Sequence, residues 1–184
     1  MNPKGRHYAT LLNHLSDYED LYYESDAVVM ERNSRDMARR VRIIDDNAEA
    51  LCTYLHERSV AGDAPSAIIK DVFYPKYTNP TKYLQCKRPG GGYGGLCSLA
   101  FTSLDASKAF YDALACYKGP TIGTNFTLAL PYTIYVYPWP KEIEWAERYG
   151  MPEGLVRVSV GMEDKDVIIR AFDVALKAAE AAVQ

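Results

Sequence analysis

The chain has 184 residues, 48% of them hydrophobic and 24% charged, and its formal net charge is −3 at pH 7. This composition is typical of a globular protein that buries a core, and the small negative charge argues against a nucleic-acid-binding surface. The apolar runs are far shorter than a membrane span and the first residues do not form a signal peptide, so we expect a cytoplasmic protein with no membrane partner.

The first third of the chain is predicted to be helical. Apolar residues at helical spacing predict a short helix over about 7–16 and a long helix from 25 to about 57. Asn33 and Ser34 can divide the long helix, because their side chains compete for backbone hydrogen bonds. Turn residues after this segment predict a domain boundary that separates 1–62 from 63–184.

The rest of the chain combines strands with helices. The predicted elements are a strand over 67–74 ended by Pro75, a loop over 76–90, a strand over 96–102, a helix over 103–116, an irregular segment over 118–131, weak alternation over 132–137, a short helix over 141–149, a strand over 155–160 and a final helix that starts at 164 or 166. The first two strands are close in sequence, which favours antiparallel pairing. The pattern predicts an α/β or α+β fold, with helices packed on a small mixed or antiparallel sheet.

The glycine-rich run Gly90–Gly95 invites comparison with a phosphate-binding loop. Such loops lie between a strand and the N-terminus of a helix, whereas here a strand follows and no Gly-Lys-Ser/Thr ending is present. We therefore expect a close approach of the backbone, at a bulge or an inter-strand crossing, rather than a nucleotide site.

The sequence offers no convincing nucleophile or metal site. The cysteines (Cys52, Cys86, Cys97 and Cys116) form no Cys-x-x-Cys pair, and the three histidines share no ligand spacing with them, so we expect reduced thiols and no metal. No serine lies in a Gly-x-Ser-x-Gly elbow. Lys82 has polar surroundings that favour an ordinary surface amine. The segment 118–125, dense in small polar groups, is either a plain surface loop or a substrate-lining loop.

Arg157 lies in the middle of the apolar strand pattern Leu155–Val160. A guanidinium cannot deprotonate, so in a half-buried strand the free-energy cost of its desolvation stays uncompensated unless it has an anionic partner. Two interpretations remain open. Arg157 is either a structural charge paired with a nearby carboxylate, or a clamp that binds a ligand carboxylate through two hydrogen bonds.

Several stretches together resemble the pyridoxal-phosphate-dependent transsulfuration enzymes of Cys/Met metabolism. They are Leu155–Glu163 (LVRVSVGME), Arg40 with Asn47–Leu51, Val72–Pro75, Gly94–Phe101 and Lys118–Thr127 (KGPTIGTNFT), with Trp145-Ala146 and Tyr149-Gly150 beyond. The segment from Lys118 is most similar to the fungal cystathionine γ-synthase-like branch. The resemblance covers nearly the whole chain.

This resemblance implies a fold and a site. The fold is the C-terminal small domain of the fold-type I pyridoxal-phosphate-dependent transferases (aspartate aminotransferase-like), preceded by a long interdomain helix. Arg157 matches the residue that binds the α-carboxylate of the amino-acid substrate. Thr121 matches a residue, commonly Ser, in the loop beside substrate and cofactor, and Thr keeps that hydroxyl.

The resemblance also implies that the cofactor-binding lysine and its supporting residues lie upstream of the position that matches Met1. We therefore expect pyridoxal phosphate in the complete family enzyme and none bound by this chain alone, so its standing as an enzyme is open. One hypothesis is a truncated product, or a subunit completed by a separate N-terminal chain or by oligomerisation, that acts on an activated homoserine or a cysteine-type amino acid. The alternative is a non-catalytic interaction domain descended from the family.

Overall fold

The computed structural model describes residues 2–19, 21–60 and 67–183. The helices are α1 (Tyr8–Ser16), α2 (Glu24–Ser34), α3 (Met37–His56), α4 (Pro75–Thr78), α5 (Pro80–Cys86), α6 (Leu104–Ala113), α7 (Tyr132–Val136), α8 (Pro140–Glu147) and α9 (Lys165–Ala182). The strands are β1 (Ile69–Phe73), β2 (Leu96–Phe101), β3 (Tyr117–Lys118), β4 (Leu128–Pro131) and β5 (Val156–Ser159).

The chain divides into two compact units, residues 1–37 and residues 38–184. The first unit contains α1 and α2, neither of which has a buried residue. The predicted short helix is confirmed as α1, and the predicted division of the long helix is confirmed because α2 ends at Ser34 and α3 begins at Met37. The predicted boundary between Gly62 and Asp63 lies outside the described residues and stays a prediction.

The second unit is built on one five-stranded sheet in the order β1-β2-β5-β4-β3. Every neighbouring pair is antiparallel except β3 and β4, which are parallel. The prediction of a small mixed sheet, with antiparallel pairing of its first two strands, is therefore confirmed. The central strand is β5, so the residues it carries are flanked by a strand on each side.

The core lies where α3, α6 and α9 pack against one face of this sheet. Leu51 and Leu55 of α3 are fully buried, and Phe110 of α6 lies with its ring centre 4.9 Å from that of Phe101 and 5.8 Å from that of Phe172. Aromatic pairs at such separations add favourable energy to the burial of their area. This packing fixes β5, and the opposite face of the sheet carries Arg157 beside its buried partner Leu130.

Side-chain caps set where two helices of this layer, α6 and α9, begin. The hydroxyl of Ser103 accepts a hydrogen bond of 3.1 Å from the amide of Ala106 at the start of α6. Asp164 Oδ1 accepts bonds of 2.9 and 3.2 Å from the amides of Asp166 and Val167 at the start of α9. Each cap satisfies amide hydrogens that the first helical turn leaves without partners.

Three segments differ from the predicted elements. The predicted loop 76–90 contains most of α4 and all of α5, and each helix begins with a proline, which the first helical position tolerates because its amide needs no partner there. The predicted irregular segment 118–131 contains β4, whose four residues are too few to show a period. The weak alternation over 132–137 forms the short helix α7.

The glycine run does make the close approach that was predicted, although to a helix rather than to another strand. A side chain at Gly92 would overlap the carboxyl of Asp45, and one at Gly95 would overlap the side chain of Ile44, both on α3. Asp45 also accepts a 2.8 Å hydrogen bond from the amide of Gly94. The glycines therefore let the start of β2 pack directly on α3.

All four cysteines are free thiols, as predicted. Cys52 of α3 and Cys97 of β2 are buried in the core. A hydrogen bond to Cys97, together with burial, raises the pKa of the Cys52 thiol, which makes it a packing group rather than a nucleophile. A helix able to cross a bilayer is absent from the described ranges.

Candidate functional site

Arg157 lies at the centre of the sheet, on the face opposite the core helices. Its neighbours Val156 and Val158 point into the core, so strand alternation directs Arg157 to the other face. It is paired in register with Ser98 on β2 and with Leu130 on β4. The side chain is half-buried. A rigid strand, supported on both sides, therefore presents the guanidinium.

Two contacts orient the guanidinium of Arg157. Nη2 donates a hydrogen bond to the backbone carbonyl of Pro120. The guanidinium carbon lies 5.3 Å from the ring centre of Tyr132, within the range of a cation–π contact. The amide of Tyr132 donates a 2.8 Å bond to the carbonyl of Leu155, which fixes the start of α7 beside β5.

No carboxylate among the described residues forms a salt bridge with Arg157. The paired structural charge that the sequence allowed is therefore not found in that part of the chain. Its one hydrogen bond there goes to a neutral carbonyl, and a guanidinium has five donors. The arrangement keeps a full positive charge on a sheet face with donors available to a ligand.

Thr121 follows Pro120 directly, so the loop that orients Arg157 also carries the second predicted site residue. Thr121 is exposed, and its hydroxyl forms no hydrogen bond with the described residues. Two residues further on, the amide of Gly123 donates a 3.0 Å bond to the hydroxyl of Ser159 on β5. The positive φ of 75° at Gly123 allows the turn that brings this amide to the strand. The structure thus brings Arg157 and the Thr121 segment to one place.

Sequence reasoning missed three residues that shape this site. Tyr132 gave no signal, because nothing in its local pattern relates it to Arg157. Thr127 and Glu163 bind each other across the end of β5, and neither had been given a role. A polar Thr immediately before an apolar strand was the available hint for Thr127, which is 3% exposed.

Three lysines lie in surroundings that do not fit a lysine bound to pyridoxal phosphate beside Arg157. Burial lowers the pKa of Lys118, but its ammonium donates to the backbone carbonyl of Tyr111 at 2.5 Å and lies 4.1 Å from the centre of that ring. Lys76 is paired with Glu49 at 2.8 Å. Lys82 is exposed, as expected of a surface amine, and lines a shallow apolar hollow of 520 Å³ on α4 and α5. None of these three groups is brought to Arg157 by a described contact.

Backbone geometry also argues against a phosphate cradle on the glycine run. Gly90–Gly95 leads into β2 rather than into a helix, so no set of helical amides converges there. Groups of three or more His, Cys, Asp or Glu side chains arranged to hold a metal are absent from the described ranges. The glycine run therefore does not supply a phosphate site of the helix-terminus kind.

Comparison with known proteins places this geometry in a family. The model of the Cys/Met metabolism PLP-dependent enzymes matches residues 20–177. The chain is 52% identical to the cystathionine gamma-synthase-like enzyme iboG2 of Amanita muscaria, over 99% of the chain and 31% of that protein. It is 41% identical to cystathionine gamma-synthase of Neurospora crassa, over 97% of the chain and 28% of that protein. The chain spans about a third of the length of these curated relatives.

The fold is shared with solved structures. A crystal structure of cystathionine gamma synthase from Xanthomonas oryzae pv. oryzae, in complex with cystathionine, superposes with a TM-score of 0.66 at 23% identity. The superposition covers 82% of this chain and 37% of that one. The predicted fold class is confirmed by this likeness together with the mixed sheet and its helical layer.

Proposed function

We propose a function that starts from family membership: this chain belongs to the Cys/Met metabolism PLP-dependent enzymes. Arg157 binds the α-carboxylate of an amino-acid substrate in a cystathionine γ-synthase-like enzyme. That enzyme acts on an activated homoserine by γ-replacement or carries out related carbon–sulfur chemistry on a cysteine-type substrate. The chain supplies the carboxylate-binding part of the site, and protein segments outside it supply the rest.

One observation carries the proposal, namely the orientation of Arg157 without an ion-pair partner among the described residues. The planar guanidinium fork matches a carboxylate through two parallel hydrogen bonds. Because a neutral carbonyl and an aromatic ring hold the fork, its charge is not neutralised before substrate arrives. A preoriented fork also loses little conformational entropy on binding.

Thr121 adds a hydroxyl next to Pro120, the residue whose carbonyl orients Arg157. Its exposed hydroxyl, next to Pro120, can donate to or accept from a polar group of the substrate. Pyridoxal phosphate, when bound in the complete enzyme, supplies the electron sink for the chemistry at the substrate carbons. The role of this chain is to bind and orient the carboxylate.

The kinetic test replaces Arg157 in the complete enzyme. Arg157→Ala lowers kcat/KM by one or more orders of magnitude, because a hydrogen-bonded charge contributes about 1.5–3 kcal/mol. Arg170→Ala, an exposed change on α9, is the matched control and leaves kcat/KM unaltered. If Arg157→Ala behaves like Arg170→Ala, Arg157 is structural and the proposal fails.

A second test addresses the cofactor. The isolated chain is colourless as purified, and borohydride reduction without added pyridoxal phosphate leaves no lysine adduct by mass spectrometry. A stoichiometric adduct on one of its own lysines would show that the chain holds the cofactor without another segment. In that case the division of the site between this chain and other segments would be wrong.

A non-catalytic interaction domain is the second candidate function. The observation that favours it is the exposure of large apolar side chains in the first unit, such as Leu11, Val28 and Met30, while α1 and α2 have no buried residue. Apolar surface of this extent commonly marks an interaction site. If mixing the chain with a separately produced N-terminal segment restores γ-replacement activity, the interaction domain is excluded. If that mixture forms a stable complex without activity, the enzyme hypothesis fails instead.

A further inference from the structure

The loop over residues 118–127 carries the carbonyl that orients Arg157, and it lies across the end of β5. Besides the bond from Gly123 to Ser159, the amide of Met162 donates a 2.8 Å bond to the carbonyl of Asn125. These are single bonds to an exposed part of the loop. A stronger connection is found at the end of the loop, at Thr127.

Both carboxylate oxygens of Glu163 accept hydrogen bonds from Thr127. Oε1 accepts a 2.6 Å bond from the amide of Thr127, and Oε2 accepts a 2.9 Å bond from its hydroxyl. The same hydroxyl accepts a 3.0 Å bond from the amide of Gly161. Thr127 is buried, so its hydroxyl has both its proton and a lone pair committed in a site of low water content. Hydrogen bonds to a charged acceptor in such a site are stronger than neutral ones.

Gly161 permits this arrangement because the backbone of the loop passes directly against it. A side chain at Gly161 would overlap both the backbone of Phe126 and the carboxylate of Glu163. From the other side, Asn47 of α3 donates to the carbonyls of Gly161 and Glu163 at 3.1 and 2.8 Å. The lock formed by Asn47, Thr127, Gly161 and Glu163 therefore connects α3, the end of β5 and the substrate-side loop.

We infer that Thr127 and Glu163 are positioning residues, which hold the 118–127 loop in the position where the Pro120 carbonyl orients Arg157. The inference rests on the proposed function of Arg157, and it assigns these two residues a part in carboxylate binding that they perform without touching the substrate. Because Arg157 and Gly161 lie on one continuous strand and its extension, a shift of the loop at Thr127 moves the acceptor at Pro120 relative to a fixed guanidinium. These hydrogen bonds thereby determine the orientation of the Arg157 guanidinium.

The test compares three single changes in the loop of the full chain. Thr127→Val keeps the shape of the side chain and removes the hydroxyl. Thr127→Ser restores the hydroxyl and loses only a methyl group. Thr124→Val is the matched control, since among the described residues the hydroxyl of Thr124 bonds only to the carbonyl of Phe126, at 2.6 Å. Glu163→Gln serves as an independent change on the other side of the lock if Thr127→Val does not fold.

Two readouts separate positioning from stability. In the ligand-free chain, the nitrogen resonance and proton exchange of the Arg157 side chain report whether its contact with Pro120 persists. Thr127→Val and Glu163→Gln increase the Arg157 proton exchange about fivefold or more, in the range of ordinary coupling energies. Thr127→Ser and Thr124→Val leave it within about twofold of the unmodified chain. In titration with L-methionine, Thr127→Val and Glu163→Gln bind more weakly than the unmodified chain, and Thr127→Ser and Thr124→Val bind as it does.

The outcomes discriminate between the two proposals. If Thr127→Val lowers only the melting temperature and the Arg157 signals do not move, the pair is merely structural and the inference is wrong. If the Arg157 signals respond as expected but L-methionine never perturbs them in the unmodified chain, the lock stands as a device that positions Arg157, while the assignment of Arg157 to the carboxylate fails. If Thr124→Val has the same effect as Thr127→Val, the response belongs to the loop in general and the inference is overturned.

Discussion

Gly161→Ala tests whether the loop and the end of β5 are packed as closely as the structure indicates. The added methyl group would lie well under 3.0 Å from two backbone carbons of Phe126 and from the Glu163 carboxylate. Backbone atoms cannot rotate away as a side chain can, so the loop must move as a body. Overpacking of this kind costs about 1–3 kcal/mol.

The matched control is Gly119→Ala in the same loop. A methyl group there meets its nearest atom, Leu128 Cδ2, at 3.8 Å, which is an ordinary contact. Neither glycine has a positive φ, so the loss of unfolded-state freedom is alike in the two variants and cancels in their comparison. The difference between the variants therefore isolates the close approach.

Urea denaturation followed by circular dichroism measures both variants. Gly161→Ala lowers the free energy of unfolding by about 1–3 kcal/mol, and at about 2–4 °C per kcal/mol for a chain of this size it lowers Tm by roughly 2–12 °C. Gly119→Ala changes the free energy by less than about 0.5 kcal/mol. Equal stabilities for the two variants would refute the packing of the loop against Gly161 and weaken the lock that depends on it.

Two further predictions concern the core and its edge. Phe110→Ala, at a fully buried side chain between Phe101 and Phe172, lowers the free energy of unfolding by about 3–5 kcal/mol. The control Val174→Ala, at a residue 59% exposed on α9, changes it by less than about 0.5 kcal/mol. Equal losses would contradict the assigned core. Burial and a 2.6 Å hydrogen bond to Asp173 raise the pKa of Tyr54 from 10.0 to about 12. The hydrogen bond of Tyr54 therefore stabilises the fold fully below pH 10, and this stabilisation is lost as the pH rises towards 12. Denaturation at several pH values should show the stability difference between the unmodified chain and Tyr54→Phe falling over that interval. A pH-independent difference would contradict the assignment.

The elements that could be predicted from sequence are those long enough to show a period. The apolar stripe of α9 and the steps of three and four along α3 both continue over several turns. β4 has only four residues, three of them buried, so no alternation distinguishes it from a loop. α4 and α5 were missed because a proline, taken as an end of structure, is also a favourable first residue of a helix.

Only the part of the site that is visible in the local sequence could be predicted. Arg157 is conspicuous because it interrupts an apolar strand, and its neighbours carry the family resemblance. Its acceptor is a backbone carbonyl 37 positions away, and Thr127 and Glu163 are separated by 36 positions. No local pattern relates groups at such separations. Thr127 and Glu163 meet because β4 and β5 pair antiparallel, which brings the residue before β4 to the end of β5. Pro120 follows β3, which pairs with β4 and so lies two strands from Arg157.

The central claim is that Arg157 is oriented to bind the carboxylate of an amino acid. Its most direct test is to titrate the chain, labelled with ¹⁵N in its arginine side chains, with L-methionine and separately with L-methioninamide, which lacks only the carboxylate charge. We expect L-methionine to shift the Arg157 side-chain resonance in a saturable way and L-methioninamide not to shift it. We also expect Arg157→Gln, followed by calorimetry, to bind the two ligands with equal affinity. Equal responses to both ligands, or no response at Arg157 while another arginine titrates, would contradict it.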